Sequence, residues 1–289
     1  MRIELKNVSK WFGEVKALSD VSAVIPVGRK VALIGPNGSG KSTLTRIIMG
    51  LLACEGEVRL DGHSPFEHRT RLAERLAYVP QVAPQLGATV EEIVETVAVV
   101  RGLAPEAIAA TASQLGFDVG AVAGLPVRAL SGGTRQKLML ALALSTRADL
   151  FILDEPTASL DAASRRAFYR LYEQVADGST LILCSHRLEE IQHLVDHVLA
   201  LESGRVSFDG SVNTFLESRT VSVIELYDIA KTHVEWLRGR GFNPGAAGAW
   251  ARTVTRAEKA QLLAEISEKC DGDFGNIVVR DMESVDVKE

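Results

Sequence analysis

The chain has 289 residues, of which 46% are hydrophobic and 24% charged, and it carries a net charge of −5. That length allows one large domain, or a large and a small one, each with a core of its own. The acid excess leaves no surplus of positive charge to displace counterions from phosphates, which speaks against nucleic acid as a partner.

Residues 2–8 and 21–26 alternate apolar and polar side chains, as half-buried strands do. Between them, residues 10–14 read as a turn carrying Trp11, Phe12 and Gly13. The early acid Glu4 is unlike a secretory signal. Lys30–Ile34 is a short apolar run ending at Gly35, and 43–52 continues with helical spacing, so the order is strand, glycine-rich loop, helix. Residues 57–60 with Asp61-Gly62 read as strand and turn.

From about residue 84 to 128 strand signals fade. Val90–Arg101 and 105–115 read as helices, with Pro105 at a start and Gly116 after an end, which suggests a helical insertion in an α/β domain. Ser131-Gly132-Gly133 is a second glycine-bearing turn, ahead of a helix over 134–146. The fully apolar runs 150–153 and Thr180–Cys184 suit strands covered on both faces, and the helical pattern at 162–177 between them implies a parallel crossover.

After Gly210 the pattern predicts strand 220–226, helix 229–239, strand 249–255, helix 256–269 and strand 276–280, a separate small domain on the order of 70 residues. Trp236 and Trp250 read as core residues. His233, Cys270, Asp271 and Asp273 are metal-binding residue types, but their spacing supports no particular geometry. Cys54, Cys184 and Cys270 are odd in number and far apart, so they read as buried or incidental thiols. No run approaches the roughly 20 apolar residues a bilayer needs, so the expectation is a soluble, cytoplasmic chain.

Two motifs carry chemistry. Gly35-Pro36-Asn37-Gly38-Ser39-Gly40-Lys41-Ser42 fits G-x-x-x-x-G-K-[ST] with a strand before it and a helix after it. Its glycines let successive N–H groups point at phosphate oxygens, and the helix adds its positive end. Lys41 supplies a charge to the β- and γ-phosphates, and Ser42 offers a hydroxyl to Mg²⁺. The run ending in Asp154-Glu155-Pro156 delivers two carboxylates to the carboxyl end of a buried strand, where ligands of parallel sheets sit. Asp154 is expected to hold Mg²⁺, and Glu155 to polarise the attacking water.

Leu130-Ser131-Gly132-Gly133-Thr134-Arg135-Gln136 resembles the signature loop of ABC ATPases, and its spacing before Asp154-Glu155 is similar to that family's. Thr134 departs from the pattern, since glutamine or another polar residue is commoner there. The resemblance covers roughly residues 1–215. It implies an α/β P-loop NTPase fold of ABC type: a mixed sheet core, an antiparallel β subdomain and a helical subdomain at about 84–145. Residues 216–289 then form a small α+β C-terminal domain, read as a packing or dimer-stabilising unit, with regulation or partner docking as the alternative.

By the same resemblance, Gln81 in Tyr78-Val79-Pro80-Gln81 looks like the glutamine that senses Mg²⁺ and the γ-phosphate. Asp161 in Ser159-Leu160-Asp161 looks like the loop that crosses a dimer interface, and His186 like the switch histidine on the γ-phosphate. Phe12 matches the aromatic that stacks on adenine, with Trp11 its neighbour. The family's arrangement implies a homodimer in which ATP and Mg²⁺ lie between residues 35–43 of one subunit, Thr43 included, and Ser131, Gly132 and Gly133 of the other. It implies a separate integral membrane permease and a place on the cytoplasmic face of the inner or plasma membrane. The short stretch from Gln81 to Ser131 and the αβ tail resemble ABC-2 exporters, and the signature region is also similar to that of the copper/nitrous-oxide-reductase maturation ATPases. An importer subunit is the alternative; a soluble non-transport ABC ATPase is the more distant one.

Overall fold

The computed structural model describes residues 1–219, 221–245, 248–270 and 274–281. The chain divides into two units, Met1–Gly210 and Ser211–Glu289. In the first, β1 (Ile3–Phe12) and β2 (Val15–Ile25) make a hairpin, and β3 (Lys30–Ile34) leads through the glycine-rich loop into α1 (Lys41–Ile48). There follow β4 (Glu55–Leu60), α2 (Arg69–Ala73) and β5 (Leu76–Val79), then α3 (Val90–Arg101), α4 (Pro105–Gln114) and α5 (Gly132–Ser145). The unit closes with β6 (Leu150–Asp154), α6 (Ala162–Val175), β7 (Thr180–Cys184), α7 (Leu188–Leu194), β8 (His197–Glu202) and β9 (Arg205–Ser211).

Two sheets organise this unit. One is antiparallel, in the order β2-β1-β4, with Ile3 opposite both Ile25 and Leu60. The other has the order β5-β6-β7-β3-β8-β9, and its first five strands pair in parallel. One apolar core joins Ile3, Leu5 and Leu60 of the first sheet to Val31, Leu33 and Ile152 of the second and to Leu44, Ile47 and Ile48 of α1. Each fully buried side chain of this size contributes about 1.5–3 kcal/mol through apolar burial. β6 and β7 are buried along almost their whole length, as expected of strands covered on both faces.

The strand order positions the site. β6, β7 and β3 are neighbours and parallel, so the segments leaving their carboxyl ends, at Asp154, Ser185 and Gly35, emerge along one edge of the sheet.

The expected turn at 10–14 is shorter in the structure. Trp11 and Phe12 pair with Lys16 and Val15 within the hairpin, after register shifts near Val8 and Lys10, and the chain turns at Gly13 with φ 58°. Irregular pairing of this kind blurs the period-two signal that marks a strand. The expectation missed α2, β5, α7, β8 and β9. All five have seven residues or fewer by their bounds, and α2 and α7 carry no side-chain cap. Such short elements owe their existence to packing more than to local preference.

The second unit contains α8 (Val212–Arg219), β10 (Val221–Tyr227), α9 (Val234–Gly239), β11 (Asn243–Pro244), β12 (Trp250–Thr255), α10 (Arg256–Cys270) and β13 (Asn276–Asp281). Its antiparallel sheet has the order β11-β12-β10-β13. It has its own core of Ile224, Leu226, Leu237, Phe242, Val254, Leu262, Ile266 and Cys270, with Trp236 and Trp250 packed against it. α8, which spans the boundary expected at 215/216, belongs to this unit. Thr220, the expected first residue of a strand, and Asp271 and Asp273 lie outside the described residues. Among the described residues no cluster of three or more His, Cys, Asp or Glu side chains could hold a metal ion. None of the described helices is long and apolar enough to cross a membrane.

Candidate nucleotide site

The loop after β3 is built around glycines that no other residue could replace without strain. Gly35 has φ 145°, and a Cβ there would collide with the Leu201 carbonyl. Gly40 has φ 102°, and a Cβ would come within 2.6 Å of the Ala17 carbonyl oxygen and of Leu18. The second contact brings the β1–β2 hairpin against the loop, and the exposed Phe12 stands at the tip of that hairpin. Inside the loop, Ser39 N donates to Pro36 O at 3.1 Å. Lys41 Nζ donates to Gly35 O at 2.5 Å and Pro36 O at 3.0 Å, so its ammonium curls back over the cradle. α1 starts at Gly40 with no side-chain cap and no acid in its first turn. Its first N–H groups and positive end are therefore open to an anion. Asn37 and Ser39 complete the loop; Ser39 Oγ is buried without a hydrogen-bond partner.

Asp154 ends β6. Burial raises its pKa, while Lys41 and Arg46 pull it back down. Arg46, one turn into α1, is a residue the sequence reading passed over. Gln81 follows β5, the strand beside β6, and is exposed.

Glu155 is the most constrained residue of the site. It holds φ 47°, a left-handed conformation uncommon for a long side chain. Its N–H donates to Cys184 O at 2.8 Å, which ties the turn to the end of β7. Its Oε1 accepts from His186 N at 3.2 Å and lies 2.6 Å from His186 Nδ1. Its Oε2 is buried without a partner. Burial raises the Glu155 pKa, His186 opposes that, and the nearby Glu190 adds to the rise. The structure therefore brings together Glu155 and His186, which lie far apart in sequence, as an acid–base pair at the sheet edge. Backbone strain held in this way is characteristic of functional positions.

The second glycine turn is positioned separately. Ser131 caps α5, its Oγ accepting from Thr134 N at 3.1 Å, and lies 2.7 Å from Thr134 Oγ1. The unusual Thr134 thus adds a hydroxyl contact to the cap. Arg135 donates to Leu130 O at 2.7 Å, holding the segment just before the turn. Gly132 opens the helix, and a Cβ on Gly133 would lie 2.8 Å from Ser159 O, so a bulkier residue would push away the loop leading to Asp161. Asp161 caps α6, accepting from Ser164 N at 2.8 Å, and that bond lowers its pKa. Gln136, buried on α5, donates to Pro156 O at 3.1 Å. Two further residues escaped the sequence reading: Thr157 and Glu190, both fully buried and hydrogen-bonded to each other. No local signal marked either one: Glu190 reads as an ordinary acid in the first turn of α7 until packing buries it.

A family model described as ABC transporter matches residues 18–158. The chain is 36% identical to the Nod factor export ATP-binding protein I of Sinorhizobium fredii over 232 residues, which is 78% of this chain and 67% of the relative. It is 34% identical to the energy-coupling factor transporter ATP-binding protein EcfA1 of Thermotoga maritima over 226 residues, covering 75% of this chain and 85% of that one. Among solved structures, the ATP-binding subunit of an ABC transporter superposes with a TM-score of 0.68 at 28% identity, over 75% of this chain and 93% of the other.

Proposed function

The chain belongs to the ABC transporter family as an ATP-binding subunit that hydrolyses ATP on an ABC-type P-loop fold, and from that premise we propose that it drives export through a separate membrane permease as a homodimer. The observation that carries the catalytic assignment is the Glu155–His186 pair at the sheet edge that also bears the phosphate loop and Asp154.

The glycine-rich loop binds the phosphates through its N–H groups and the open end of α1, and Lys41 turns its ammonium from the Gly35 and Pro36 carbonyls to phosphate oxygens. Phe12 stacks on the adenine. Ser42, Asp154 and Gln81 form an all-oxygen donor set that fits a hard divalent cation. Mg²⁺ held there would neutralise charge on the phosphates. His186 bonds one oxygen of Glu155, and on nucleotide binding the carboxylate polarises the attacking water. Ser131, Gly132 and Gly133 contact the γ-phosphate of ATP held by the partner subunit, and Asp161 stands at that interface. Catalysis on this reading is positioning and charge stabilisation.

Export is supported by the likeness to the Nod factor export ATP-binding protein. An importer subunit is the second reading. Reconstitution with the co-purifying permease, with ATP supplied on one side, separates the two by the direction in which cargo moves.

The catalytic assignment is tested by Glu155→Gln. ATP binding should persist, turnover should fall by at least about a hundredfold, and ATP-dependent dimers should accumulate. Normal steady-state turnover would overturn it.

A further inference from the structure

Glu190 is fully buried, yet it is a carboxylate. Its Oε1 accepts a hydrogen bond from Thr157 Oγ1, and its Oε2 is buried with no hydrogen-bond partner. A buried carboxylate with one bond and one orphaned oxygen is costly to keep, and an apolar side chain of similar size would fill the same space at a lower desolvation cost. Its surroundings give the group something to do. Glu190 sits in the first turn of α7, four residues beyond His186, while Thr157 lies two residues beyond Glu155. The Thr157–Glu190 bond therefore fastens the segment leaving β6 to the segment leaving β7. The upstream side of the same turn is fastened by the bond from Glu155 N to Cys184 O. Between these two fastenings Glu155 holds φ 47°, a conformation that persists only where its neighbours over-determine it.

We propose that Glu190 is a positioning residue for ATP hydrolysis: by holding Thr157 it fixes the turn that aims the Glu155 carboxylate. The proposal rests on the assignment of Glu155 as the group that polarises the attacking water. Tyr169 backs the arrangement. Its buried hydroxyl lies beside Thr157 and Glu190, and its ring stacks on His193 of α7 with centroids 5.6 Å apart, which pins α7 against α6. The fastening works on geometry, so its loss should appear in turnover and not in nucleotide affinity. A displacement of about 1 Å at a reacting group can cost on the order of a hundredfold in rate.

The test is steady-state ATP hydrolysis and ATP affinity of the full chain carrying Glu190→Leu, Thr157→Val, both together, or Glu190→Gln. Glu190→Leu and Thr157→Val should each lower kcat by about tenfold to a hundredfold, with KM and Kd for ATP within about twofold of the parent. The double variant should lose no more than the worse single one, because both remove the same bond. Glu190→Gln keeps an oxygen for the Thr157 hydroxyl and should restore kcat to within about threefold of the parent. Parental kcat in both single variants would overturn the proposal, as would a loss carried by KM and Kd, or a failure of the glutamine to rescue. If Glu190→Leu does not fold, Thr157→Val, which keeps the side-chain shape, decides alone. Glu155→Gln run alongside separates the two ideas: normal turnover there removes the underlying assignment, whereas a dead Glu155→Gln with unaffected Thr157→Val and Glu190→Leu removes only the role of Glu190.

Discussion

Lys41 and Glu155 show how single residues are prepared for chemistry at a cost to local preference. The Lys41 ammonium bonds two carbonyls of its own loop, a position from which it can swing to phosphate oxygens. Lys41→Ala removes a charge-assisted contact of about 1.5–3 kcal/mol, so ATP affinity should fall roughly tenfold to a hundredfold. Isothermal titration with ATP reads this directly, and unchanged affinity would count against the loop assignment. The identity of Lys41 was legible from its motif. The strained φ of Glu155, its 2.6 Å approach to His186 and its orphaned oxygen were not, because they arise where two strand ends meet in space. Glu190 was invisible for the same reason: a glutamate one turn along a helix reads as a solvated acid until packing buries it.

At the scale of elements, local chemistry explains which predictions succeed. α3 starts with a reciprocal cap, in which Thr89 Oγ1 accepts from Glu92 N at 3.2 Å and Glu92 Oε2 accepts from Thr89 N at 2.8 Å. It ends at Gly102 with φ 62°. These signals lie within the element, so its bounds could be read from the chain. Thr89→Ala should destabilise the start of α3 by about 1 kcal/mol. Faster hydrogen exchange confined to the first turn of α3, with ATP affinity unchanged, is the expected result. By contrast, β5 has only four residues, and α7 has seven and no side-chain cap. β5 exists because β6 supplies a hydrogen-bonding edge beside it. β1 extends through Trp11 and Phe12 because β2 pairs with them.

For the molecule as a whole, the two glycine turns are held by different parts of the fold. Residues 35–40 lie between β3 and α1, while Ser131–Gly133 is held against Ser159 at the start of α5. If the second turn serves ATP bound to a partner, Ser131→Arg should leave the affinity of one subunit for ATP unchanged. In the Glu155→Gln background it should weaken ATP-dependent dimerisation by at least about tenfold. Sedimentation or light scattering with and without ATP measures this, and undiminished dimers would remove Ser131 from the interface. The C-terminal unit has a core of its own around Phe242 and Ile224, which is why its βαβαβ pattern could be read independently of the first unit. Its antiparallel order, with β10 between β12 and β13, could not, since strand pairing joins residues far apart in the chain.

The sequence by itself determined the phosphate loop, the paired acids at the end of β6 and the order of motifs that marks the family, because each is a local run whose chemistry depends on its own residues and spacing. Only the tertiary structure decided that Gly35, Asp154, Glu155 and His186 share one edge, since that follows from β6, β7 and β3 lying side by side. It also decided that Thr157 and Glu190 join the turns around them, because burial and the meeting of separate strand ends are properties of the packed chain and not of any segment within it.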